Sequence, residues 1–80
     1  MSLTANEEKF IKLFYQIDLL KINIKKLENQ MWNEINLIMK NNIDGSQWIK
    51  RRNKKIEYKD QFNIINDQIN NLKDQIEELE

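Results

Sequence analysis

Stepping by seven from Leu3 meets Leu3, Phe10, Ile17, Ile24, Met31 and Ile38, an apolar residue at every position. A second row, offset by three, supplies Leu13, Leu20 and Leu27 before it reaches Glu34. Two interleaved rows of this kind make a repeat of about 3.5 residues, which puts a narrow apolar seam along one side of an α-helix. The second half of the chain repeats the pattern, with Phe62, Ile69 and Ile76 interleaving Tyr58, Ile65, Leu72 and Leu79. No segment sustains the alternation of a β-strand. The fold class is therefore all-α.

Local signals divide the helical pattern in two. Thr4-Ala5-Asn6-Glu7 has the form of a capping box, in which the threonine hydroxyl accepts an early backbone N–H and the glutamate reaches back. Asn41-Asn42-Ile43-Asp44-Gly45-Ser46 gathers poor helix formers around the only glycine. Gly45 suits the left-handed conformation that ends a helix, and Ser46 suits the cap of the next one. A single helix running through Gly45 would have to absorb all of these breakers. The expectation is one helical-hairpin domain over residues 1–80, with a helix over about 4–43, a turn over about 43–46 and a helix over about 46–80.

Folding back at the turn pairs Phe10 with Leu79, Leu13 with Ile76, Ile17 with Leu72, Leu20 with Ile69, Ile24 with Ile65 and Leu27 with Phe62. Every pair is apolar on both sides. The same register sets Met31 by Tyr58, Ile38 by Arg51 and the polar Glu34 by Lys55, a charge pair expected to fix register. An antiparallel, coiled-coil-like two-helix hairpin follows.

One seam does not use all the apolar side chains. Ile11, Phe14, Tyr15, Leu19 and Ile22 lie off it, as do Trp32, Ile35, Trp48 and Ile49. A helix that is apolar nearly all round is normally buried, and an isolated hairpin of this size has little core. These nine residues are the candidate protein interface. The first expectation for them is self-association into a dimeric four-helix bundle, and the second is docking against a different protein.

Chemistry is sparse. The 80 residues contain no histidine and no cysteine, which removes imidazole acid/base catalysis, thiol chemistry and the ordinary zinc ligands. No Gly-rich phosphate loop and no metal-ligand motif occurs. The expectation is a non-enzymatic chain with no catalytic residues, no metal, no cofactor and no small-molecule substrate. No apolar run reaches the roughly 18 residues of a membrane span, and no signal peptide is visible. The chain is thus expected away from membranes, in the cytoplasm of a cell or an infected host. The excess of isoleucine, asparagine and lysine over valine, alanine and arginine points to an AT-rich genome, with a phage or virus among the sources considered.

The formal net charge is zero, but the charges are not mixed. Residues 46–59 carry six positive charges and one negative; residues 60–80 carry one positive and six negative. The basic run Lys50, Arg51, Arg52, Lys54, Lys55 and Lys59 opens the second helix, where the macrodipole is already positive. The acidic end closes it, where the dipole is negative. Neither placement serves an isolated helix, so the polarity is expected to serve an intermolecular contact. The functional expectation is a protein-binding module (an adaptor, assembly factor or small inhibitor) acting as a self-associating hairpin. Two alternatives accompany it: a nucleic-acid binder using residues 50–59, with cations on phosphates and Trp48 and Tyr58 on bases, and a structural segment of a larger assembly.

Overall fold

The structure, a computed structural model, describes residues 3–41 and 44–79. Two helices account for nearly all of them: α1, Ala5–Asn41, and α2, Ser46–Leu79. They pack against each other as a hairpin measuring 64 × 21 × 11 Å. Sequence placed the end of the first helix near 43 and that of the second at 80; both positions lie outside the described residues.

The local signals are realised as hydrogen bonds. Glu7 N–H donates to Thr4 Oγ1 at 3.1 Å and Thr4 N–H donates to Glu7 Oε1 at 3.4 Å, closing the capping box that starts α1. At the turn, Gly45 has φ of 94°, a left-handed conformation that a Cβ would strain. The acceptor that starts α2 is Asp44 rather than Ser46: its Oδ1 takes the Ser46 N–H at 3.1 Å and the Ser46 hydroxyl at 2.6 Å. An Asx turn has replaced a serine cap, because the carboxylate two residues upstream is the stronger acceptor. These two bonds hold the Asp44 carboxyl below the usual carboxylate value.

The core forms two clusters along the seam. Toward the free end, Leu13, Ile17, Ile69 and Ile76 are buried, with Phe10, Leu20, Ile24, Ile65, Leu72 and Leu79 packed around them. Toward the turn, Met31, Ile35 and Tyr58 are buried, flanked by Leu27, Met39 and Phe62. All six apolar pairs of the sequence register fall within these clusters.

The turn-side cluster departs from the heptad. On α1 the seam advances in alternating steps of three and four from Phe10 to Leu27, then in steps of four through Met31, Ile35 and Met39. Read from the free end, α2 alternates in the same way from Leu79 to Phe62 and then takes steps of four through Tyr58 to Lys54. Helices have about 3.6 residues per turn, so a strict seven-residue seam drifts, and consecutive four-residue steps take up the difference. Both helices make the change at the level of Leu27 and Phe62. The shift rotates Ile35 into the seam, where it is 2% exposed. Ile35 is therefore a core residue and not part of an outward interface. Among the described residues, no helix is long and apolar enough to cross a membrane.

Ile35→Ala, which empties the most buried site, is expected to cost about 2–5 kcal/mol. Leu37→Ala, two residues along on an exposed face, should cost well under half of that. Urea unfolding followed by circular dichroism compares the two.

Candidate functional site

The same rotation reassigns the polar residues of the seam. Tyr58, buried opposite α1, donates its hydroxyl to Glu34 Oε2 at 2.8 Å. The ammonium near that oxygen belongs to Lys54, at 3.8 Å, and Lys54 Nζ also donates to Glu57 Oε2 at 3.0 Å. The expected pair of Glu34 with Lys55 is thus replaced by Glu34 with Tyr58 and Lys54. The four-residue step from Tyr58 turns Lys54 inward and Lys55 to the flank. Burial, reinforced by the Glu34 carboxylate, raises the Tyr58 hydroxyl above its ordinary value. The hydrogen bond to Glu57 raises the Lys54 ammonium. A carboxylate at the edge of an apolar seam requires a donor at its own level; that requirement could have singled out Tyr58, which the sequence places in the seam and also as a base-stacking ring, a role its burial removes.

Outside the seam the basic run splits by direction. Arg51 is half-buried, with its guanidinium carbon 6.0 Å from the Trp32 ring centre and 5.9 Å from that of Trp48. Its Nε is enclosed with no hydrogen-bond partner, and the two aromatic faces lie at cation–π distance. Lys55 Nζ lies 5.2 Å from the Trp32 centre. Beside this stack runs a groove of about 430 Å³ lined by the apolar Met31, Trp32, Ile56 and Phe62. Arg52, Lys55 and Lys59 edge it on the α2 side. Lys50 stands on the opposite flank, by a hollow shared with Lys54 and Glu57. Of the six basic candidates, three therefore edge one groove. Arg51 is stacked beside it, Lys54 belongs to the seam network, and Lys50 faces away.

The free end carries the second candidate surface. Ile11, Phe14, Tyr15, Leu19 and Ile22 are all exposed, Tyr15 at 63%. They do not form one patch. Tyr15 and Ile22 follow a spacing that sets them on the face of α1 remote from α2, and Ile11 lines a hollow with Phe10 and Leu79 at the free end. Leu19 joins a hollow edged by Gln16, Asn23, Gln68 and Asn71. Phe14 packs edge-on against Phe10, ring centres 4.8 Å apart, and lines a hollow with Asp18, Lys21, Lys73 and Glu77. Trp32, Trp48 and Ile49 are exposed at the turn end. Among the described residues no group of three acidic side chains could hold a metal ion. The arrangement can bind: apolar hollows edged by charge on a stiff rod.

Comparison with protein families, curated proteins and solved structures finds no match.

The raised Tyr58 hydroxyl has a consequence at high pH. The unfolded chain loses the tyrosine proton near its ordinary value of about 10, while the folded chain keeps it. Stability is thus fully present below about pH 10 and falls as pH rises towards the folded value, with Lys54 adding in the same direction. Thermal unfolding across this range should show the decline in the parent, and Tyr58→Phe should decline less steeply.

Proposed function

We propose that the chain is a non-enzymatic protein-binding module, and that it works as a pair of hairpins joined into a dimeric four-helix bundle. The observation that carries this reading is surface left uncovered. A compact monomer of 9.8 kDa exposes about 5,200 Å². The hairpin exposes 6453 Å². The excess of about 1,300 Å² is more than the roughly 800 Å² each partner contributes to a stable interface of standard size. It includes large hydrophobic side chains, among them Phe14 at 45% and Trp32 at 42% exposure.

A second copy is the occupant that the charges favour. The basic opening of α2 and its acidic close attract each other when two hairpins lie antiparallel, and they repel when the hairpins lie parallel. Antiparallel neighbours also oppose their helix dipoles. The face of Tyr15 and Ile22, remote from α2, stays outside a pairing through the flank and is the surface left for a further protein partner.

The groove edged by Arg52, Lys55 and Lys59 supports nucleic acid as the second reading, since cations beside indole rings suit a single strand. Against it, Trp32 and Trp48 already carry the chain's own cations, so bases would compete with Arg51 and Lys55 for those rings. Replacing Lys50, Arg51, Arg52, Lys54 and Lys55 with glutamine would abolish a steeply salt-dependent oligonucleotide affinity if that reading holds.

Sedimentation equilibrium at micromolar concentration should return twice the 9.8 kDa chain mass, with association weakening as salt is added. A monomer at every concentration and ionic strength would remove the reading.

A further inference from the structure

Phe14 and Trp32 are separated by eighteen residues of α1, five turns at about 3.6 residues each, so they project in the same direction about 27 Å apart. The same interval separates Lys55 from Lys73 and Lys59 from Glu77 on α2. The hollow beside Phe14, with Lys73 and Glu77, and the groove beside Trp32, with Lys55 and Lys59, therefore open on one flank of the hairpin. One hollow presents an aromatic ring with two carboxylates and two lysines, and the other presents an apolar groove edged by three cations.

Resting on the dimer proposed above, we infer that this flank is the dimer interface and that it meets itself antiparallel, through a two-fold axis running across the hairpin at the level of Asn23. Asn23 lies midway between Phe14 and Trp32, and Asn66 stands level with it across the seam. The axis brings Phe14 of each copy to the groove beside Trp32 of the other. Lys55 and Glu77 lie eleven residues either side of Asn66, so each Lys55 comes level with Glu77 of the second copy. The contact is isologous and closes as a dimer. Near the axis Lys21 comes level with Lys25 of the second copy and Asp18 with Glu28 of the second copy, so that each lysine lies one turn from a carboxylate of the other copy. Lys59 comes level with Lys73 of the second copy, with Glu77 one turn beyond.

This arrangement gives the unfavourable charge order of α2 a purpose. In a bundle where α2 lies beside an antiparallel α2, a basic start and an acidic end are complementary. On the opposite flank the free-end hollow is edged by the uncharged Gln16, Asn23, Gln68 and Asn71, so it offers no counterpart to the charges of Lys50, Lys54 and Glu57 near the turn of a second copy.

The chain has no cysteine, so single cysteines report contacts cleanly. Lys55→Cys and Glu77→Cys proteins, mixed and treated with a short bismaleimide, should link to each other. Each alone should link poorly, because same-site cysteines lie about 33 Å apart in the antiparallel pair. Phe14→Ala and Trp32→Ala should each weaken dimerisation tenfold or more while the helical circular dichroism is kept. Same-site links in excess, or no links from a protein that still sediments as a dimer, would overturn this interface and leave self-association standing. A dimer constant unmoved by both alanine variants would overturn it too. A parent chain that stays monomeric would remove both proposals together.

Discussion

The helices depend on one apolar seam, and that seam is thin. Among the described residues only Leu13, Ile17, Met31, Ile35, Tyr58, Ile69 and Ile76 are buried in it. The sequence offers little else to hold long helices together: asparagine, a poor interior helix former, occurs throughout both, and alanine is nearly absent. Helix formation here is therefore tied to burial against the partner helix rather than to intrinsic propensity. The capping box and the Asp44–Gly45 turn fix where the helices start and reverse, and the seam decides that they stay.

The change of step at Leu27 and Phe62 follows from the same constraint. A seam of strict heptads would need the two helices to supercoil along their whole length. Moving to four-residue steps near the turn lets the straight helix keep apolar side chains inward, and it admits Ile35 and Tyr58. The cost is a carboxylate at the edge of the core, which Tyr58 and Lys54 satisfy. The same rotation frees Lys55 to lie over Trp32 and draws Arg51 between two indoles, so the electrostatics of the turn-end surface are a by-product of how the core is stepped.

Much of this was legible in the sequence. Periodicity alone gives two helices, and the lone glycine in a run of asparagines gives the turn. The apolar register from Phe10–Leu79 to Leu27–Phe62 falls within the observed clusters. What escaped was local. Heptad counting extrapolates a fixed angle, so past Leu27 it assigned Glu34 to the seam and Ile35 outside it, and it paired Glu34 with Lys55 instead of Lys54. Residue types could not reveal the shift, because isoleucine at 35 and lysine at both 54 and 55 suit either geometry. The turn cap was misplaced for a similar reason: Ser46 and Asp44 are both good acceptors, and only the backbone decides between them. The candidate interface was legible as a set of residues but not as surfaces, since exposure on three different sides of a rod has no linear signature.

One seam makes the hairpin, and a second copy lying alongside is proposed to cover one of the flanks that the seam leaves exposed. Small-angle X-ray scattering with absolute intensity calibration tests both halves at once. Side-by-side pairing predicts twice the mass of one chain with a longest dimension still near 64 Å. The mass of a single chain, or a doubled mass with a longest dimension approaching twice that length, would contradict it.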